Sequence, residues 1–350
     1  MLRIHPTLRR CWRDVGRVQL GADPAHARVL DGLTAGDEAL LDDLVEGVAE
    51  ADLPARAAAR GLAPAEATHL VALLATAGAL EPPSAPGSRA TARATAAEAH
   101  AQALVHGTGG WDVLARRAQR RVVVEGRGCA PGAVGAGLEE AGVGSVDLRA
   151  PGDGGAGDVG VLARTAAEHR PRRRRGRGQG ARRPPCTAGA PRAAAEDGQA
   201  DLVVLVVDGA APPARAAELL RADAAHLAVV LRERSAVVGP LVVPGRAACL
   251  RCLDLHRTDR DPEWPRVAAQ LAHPARGGLA PDVVLVRLTA ALAVAQVLAH
   301  LDGAGPGAPA PVARSAAARG RTWELSLPDG LPVGRSWPPH PACGCTWPPR

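Results

Sequence analysis

The sequence predicts an α/β fold with a mostly parallel sheet, preceded by a smaller domain of short strands and helices. Three observations carry this. From residue 119 onward, strand-like and helix-like patterns alternate, as they do when helices form the crossovers of a parallel sheet. "QRRVVVEGRGCAPGAVGAGLEEAGVGSVDLRA" reads as strand, Gly turn, helix, strand, half of a dinucleotide-binding unit. "ADLVVLVVDGA" contains an unbroken apolar run, Leu202 to Val207, ending in Asp208, the pattern of a strand covered on both faces.

Residues 1–85 form the smaller domain. "GRVQLG" and "ARVLDGL" read as short strands. "GDEALLDDLVEGV" places Leu40, Leu41, Leu44 and Val45 on one helix face. "LPARAAARG" is a short helix ending at Gly61. "APAEATHLVALLATAGAL" has Pro64 near its start and Leu70, Leu73 and Leu74 at helical spacing. A winged-helix-like unit is expected. Its third helix offers only His69 as a basic group, so it is expected to bind a peptide or partner, or simply to pack, in preference to binding DNA.

Residues 86–118 are a Pro/Ser/Gly/Ala linker and a connecting helix to about Arg117. Residues 119–305 form the Rossmann-like domain. Val122, Val123 and Val124 make a buried strand, Ala133 to Ala141 a helix, and Val146 and Leu148 begin the next strand. Residues 151–198 lack the large apolar residues a layer needs. They are expected to be a disordered loop, or an arm contacting a polyanion. Beyond them come the apolar strand, a helix over Pro213–Ala222, a strand "HLAVVLRE", a hairpin-like "SAVVGPLVVPG" and a long apolar helix from Asp282 to Leu301. Residues 306–350 are a linker, the strand "RTWELSL" and a Cys-bearing tail.

Composition narrows the chemistry. The chain has 350 residues, 47% of them hydrophobic, with no Phe, no Tyr and no Lys, so all 42 basic residues are Arg. A lysine Schiff base, P-loop lysine or lysine base is therefore excluded. The net charge of +6 is local. His169 to Pro185 holds eight Arg and no acid, and the remainder has 34 basic against 36 acidic residues. No general nucleic-acid footprint is indicated. Neither a signal peptide nor a membrane span is expected, which points to the cytoplasm. Seven Cys, four of them in two tight pairs, favour a metal protein of a reducing compartment over a disulfide framework.

Four groups are candidates for chemistry. Cys249-x-x-Cys252 and Cys343-x-Cys345 can supply four thiolates to a closed, structural zinc site that clips the tail onto the α/β domain, with His340 as a substitute ligand. A redox dithiol and unrelated thiols are the alternatives. Gly126-x-Gly128 opens a helix, but the third position of a G-x-G-x-x-G turn is Pro131, which removes one donor from the helix start. Asp208 either faces a ligand at a strand's carboxyl end or caps the following helix. "DLHRTDRDPEWP" is either a catalytic cluster, with His256 as its general-base candidate beside Arg257, or a solvated ion-paired turn.

The order of these parts resembles the ThiF/MoeB superfamily of adenylating enzymes related to the ubiquitin-activating enzymes, over residues 119–350. The carriers are the Gly126 turn, "AGVG", the strand ending in Asp208, and "VVGPLVVPGRAACLRCL" with a terminal Cys pair. "WRDVGRVQLGADPAHARVLDGL" and "HPACGC" look closer still to actinobacterial ThiF-family, cyclodehydratase-like proteins of azole-modified peptide biosynthesis. The resemblance implies ATP and Mg²⁺ at Gly126, Gly128, Asp208 and a ribose acid near Gly152, where Asp153 is adjacent. The family's lysine has no counterpart. The expectation is therefore a scaffold with a reduced nucleotide site that presents a leader-type peptide to a YcaO-type enzyme, with a homodimer as its expected assembly. The alternative is an active ATP-dependent adenylyltransferase of a peptide or small-protein C-terminus.

Overall fold

A computed structural model describes residues 1–23, 26–81, 93–106, 109–150, 200–272, 281–303 and 319–346. The expected loop over 151–198 and the Asp153 position lie outside them. The chain divides into two units, Met1–Arg116 and Arg117–Arg350.

In the first unit, β1 (Arg10–Asp14), β2 (Arg17–Leu20) and β3 (Arg28–Leu30) form an antiparallel sheet in that order. The sequence reading missed β1. Helices α1 (Ala35–Glu46), α2 (Leu53–Ala59) and α3 (Pro64–Thr76) follow, then α4 (Arg93–His106) and α5 (Gly110–Arg117), where one connecting helix was expected. Thr34 starts α1 through a capping box. Its hydroxyl accepts the Asp37 N–H at 3.2 Å, and the Asp37 carboxylate accepts the Thr34 N–H at 2.9 Å. Val18, Leu20, Leu40, Leu41, Leu44, Leu70 and Leu74 build the core. Val45 and Leu73, placed on the inner face by periodicity, are exposed.

The second unit is a seven-stranded sheet in the order β10-β9-β8-β7-β6-β4-β5. Its strands are β4 (Arg121–Glu125), β5 (Ser145–Arg149), β6 (Leu202–Asp208), β7 (His226–Leu231), β8 (Ser235–Val242), β9 (Arg321–Ser326) and β10 (Pro332–Ser336). β5, β4, β6 and β7 are parallel; β8, β9 and β10 continue antiparallel. "SAVVGPLVVPG" thus supplies one strand, β8 over its first eight residues, paired with β7, and holds no hairpin of its own. Gly239 and Pro240 lie within that strand. β10 was not foreseen.

Alternation along the strands sorts their side chains onto two faces. Val122, Val124, Val204 and Val206 meet α6 (Cys129–Glu140) and α10 (Val283–Gly303) on one. Val123, Val203 and Leu205 meet α7 (Pro213–Arg221) and α8 (Leu250–Thr258) on the other. α9 (Trp264–Leu271) follows α8. By length and composition α10 could cross a membrane, but Leu285, Ala290, Ala293 and Val297 are buried in the core on the sheet. The chain runs from β4 through α6 to the edge strand β5, and β6 lies on β4's other side. The order therefore reverses between β4 and β6, the place where open α/β sheets form a crevice at their carboxyl ends.

Candidate functional site

The two Cys pairs meet. Cys249 Sγ lies 3.5 Å from Cys343 Sγ and 3.9 Å from Cys252 Sγ, and Cys252 Sγ lies 3.4 Å from Cys345 Sγ. All four sulfurs fall within 4.8 Å of one another. Four thiolates about 2.3 Å from one tetrahedral ion sit about 3.8 Å apart, so the quartet has the span a metal needs. The helix α8 explains half of it. Cys249 is its N-cap residue and Cys252 lies in its first turn, where the positive end of the helix favours thiolate. Leu250 and Arg251, between the first Cys pair, begin this helix. From the tail, Gly344 adopts φ +75° between the second pair, and the His340 N–H donates to Cys252 Sγ at 3.3 Å.

The thiols interact strongly. A hydrogen bond donated by Cys249 pulls the Cys252 thiol down to about 4, and the same sharing pushes Cys249 up. Burial pushes Cys345 up to about 11. Such a cluster favours a cation that replaces the shared protons. His340, the expected substitute ligand, has both ring nitrogens engaged elsewhere. Its Nδ1 accepts the Ala342 N–H at 3.1 Å, and its Nε2–H donates to Asp259 at 2.9 Å.

His256 and Arg257 lie on α8 beside the tail. His256 Nε2–H donates to the Pro338 carbonyl at 2.9 Å, and its ring lies 4.8 Å from that of His340. The Arg257 guanidinium lies 5.0 Å from the Trp264 ring and 5.9 Å from the Trp337 ring, and donates to Asp254 at 3.3 Å. Burial lowers its pKa. The charged stretch behind the first Cys pair is therefore helix, turn and helix, organised around two indoles.

At the sheet's carboxyl edge, Gly126-x-Gly128 follows β4 and Asp208 ends β6, so the two flank the reversal point. Gly126 is packed so closely that a Cβ there would lie 2.5 Å from the Val206 carbonyl and 2.6 Å from Pro131. Gly128 has φ +81° and open space around it. α6 starts at Cys129 rather than Ala133, so Pro131 falls in its first turn and is buried. Asp208 is half-buried and does not cap α7. That helix has Pro212 at its N-cap, with no side-chain cap bond. Sequence reasoning missed the pair beside this edge: Glu125, 7% exposed, takes two hydrogen bonds from Arg215 of α7, one of them 2.9 Å. The only sequence signal was an acid closing an apolar strand.

The sequence matches no protein-family model and no curated protein. Solved structures do match the fold. The heterocyclase TruD gives a TM-score of 0.62 at 17% identity, covering 99% of this chain and 42% of that one. E. coli MccB with ATP gives 0.60 at 13% identity, over 98% of this chain and 99% of that one. The microcin C7 biosynthetic enzyme MccB in complex with N-formylated MccA gives 0.61 at 12% identity, over 99% of each chain. The chain thus spans under half of the TruD heterocyclase it matches and the whole length of MccB. At these identities the likeness is one of fold, and it is the fold that the resemblance to ThiF-type, cyclodehydratase-like proteins implied.

Proposed function

We propose that this protein is a ThiF-like scaffold of ribosomal peptide modification, one that holds a leader-type peptide and presents it to a separate YcaO-type enzyme. The observation that carries the reading is the fold match along the whole chain to MccB, solved with MccA, together with the match to a heterocyclase. Residues 1–85 would take the peptide. Zinc at Cys249, Cys252, Cys343 and Cys345 would fix the tail, a structural role that a closed four-thiolate site suits. The nucleotide site is reduced in this reading: the chain has no Lys, and Pro131 withdraws an N–H from the first turn of α6.

A second reading, an active adenylyltransferase, is favoured by one observation. Asp208 and Gly126-x-Gly128 end the two strands that flank the reversal point, where ATP and Mg²⁺ would bind. Catalysis by His256 would further require its Nε2–H to leave Pro338. Fluorescence anisotropy with a labelled leader-type peptide and ATP–pyrophosphate exchange separate the two. The scaffold reading expects peptide binding without exchange. Exchange that falls at least about tenfold in Asp208→Ala would replace it with the second reading, and absence of both signals would defeat both.

A further inference from the structure

We propose that His256, Asp259 and His340 form a second metal site, one that takes a divalent transition cation. One donor atom from each lies within 4.8 Å of the others. His256 sits in the last turn of α8, and Asp259 is the C-cap three residues on, so the two side chains share one face of the helix. His340 reaches them from the tail, with its Nε2 2.9 Å from the Asp259 carboxylate. The His256 and His340 rings meet edge to face, 4.8 Å between centres.

The donor set suits such an ion. Two imidazoles and a carboxylate favour zinc, nickel or cobalt over magnesium or calcium, which prefer oxygen throughout. Donors about 2.1 Å from a tetrahedral ion lie about 3.4 Å apart. His340 Nε2 and Asp259 are slightly closer than that, and the His256 donor is no farther than 4.8 Å from either. The Asp259 side chain is 63% exposed against 11% for His340, so the carboxylate has room to shift. It also stands at the C-terminal end of α8, where the helix dipole favours a cation.

The protons can be followed atom by atom. His256 gives its Nε2–H to the Pro338 carbonyl, the kind of outer bond that ligating histidines make. Its other nitrogen keeps a lone pair that has no protein partner among the described residues. The hydrogen bond between His340 and Asp259 uses two of the three groups and leaves that lone pair over. A cation joins all three. At His340 it takes the place of the Nε2 proton, which moves to Nδ1. The Ala342 N–H, now donated to Nδ1 at 3.1 Å, then turns away, a change confined to the tail.

Three protein donors leave one position open to water, unlike the closed thiolate quartet. The site is therefore the weaker of the two and empties on dialysis. When filled, it ties residue 340 to the end of α8, as the quartet ties 343 and 345 to its start. It depends on neither functional reading above.

Nickel titration of the dialysed, untagged full chain tests it, with elemental analysis following nickel and zinc together. The wild type is expected to take up one further cation per chain with a Kd on the order of 10 µM. Asp259→Asn keeps an acceptor for His340 but loses the charge. It should weaken uptake at least about tenfold, the loss that even an outer partner of a ligand gives. His256→Gln should do the same. Zinc content and the circular dichroism spectrum should stay at the wild-type values in both. If His256→Gln disturbs the fold, Asp259→Asn decides alone. A wild type that takes no nickel up to about 1 mM overturns the proposal. So does uptake that Asp259→Asn leaves unchanged, which would place the nickel in the quartet or elsewhere.

Discussion

Arg117 and Asp302 form a two-point ion pair in the interior of the second unit. The guanidinium donates to the carboxylate at 3.0 and 2.7 Å, and the side chains are 2% and 4% exposed. A third bond, to the Ala141 carbonyl at 3.1 Å, ties the end of α6 to the same group. Separated by 185 residues, the pair ties Arg117, the first residue of the second unit, to the ends of α6 and α10. Buried ion pairs add little net stability, but removing one partner strands the other charge. Asp302→Ala is expected to cost about 3–5 kcal/mol, whereas Arg117→Met with Asp302→Leu should come much closer to wild type. Urea unfolding of the three proteins checks this. Equal losses in the single and double variants would show that packing, not the stranded charge, sets the cost.

The thiol quartet predicts about one zinc per chain by elemental analysis. Cys252→Ser and Cys343→Ser should each release it, since three thiolates leave the site open. The tail is also held by His256 on Pro338 and by His340 on Asp259. Both contacts precede the second Cys pair, so metal loss should expose residues 341–345 to proteolysis before it unfolds the sheet. A folded wild type without metal, and with a protected tail, would remove the clip from the account.

The legible parts were those that pattern alone specifies. β4 and β6 are apolar runs buried in the sheet's centre, and the quartet announced itself by Cys spacing. β1 and β10 were unreadable because both are edge strands with mostly exposed side chains, so neither needs the apolar alternation that marks a half-buried strand. The partners of Glu125 and Arg117 lie 90 and 185 residues away, beyond any local signal. His256 illustrates the same limit. A histidine among carboxylates suggests a base, and only the fold shows its proton directed at Pro338, 82 residues on.

Acid should destabilise the fold through buried histidines. Burial lowers His300 to about 4, helped by Arg319 and Arg120 and opposed by Asp201. Burial also lowers His226 and His5. In each case the folded state binds its proton less readily than the unfolded chain, whose histidines titrate near 6.5. The stabilisation is present above about 6.5 and is lost as pH falls toward 4. For His300 it is on the order of 3 kcal/mol at most. Unfolding free energies measured from pH 7 to 4 should fall steeply in the wild type and less steeply in His300→Gln. Parallel curves would assign the acid sensitivity elsewhere.

The two glycines that bracket Pro131 should respond oppositely to alanine. At Gly126 a methyl group would meet the Val206 carbonyl at 2.5 Å and Pro131 Cγ at 2.6 Å. Neither neighbour can yield freely, since one is strand backbone and the other a buried ring in the first turn of α6. Gly126→Ala is expected to cost about 1–3 kcal/mol, the range for overpacking. Gly132 lies inside α6, with nothing within 4 Å of a Cβ. There alanine only narrows the unfolded ensemble and favours the helix, a gain of about 0.4–1 kcal/mol. Thermal melts of both variants decide it. A neutral Gly126→Ala would mean that the turn after β4 can move away from β6, and the close approach that shapes this sheet edge would then not be a fixed feature of the fold.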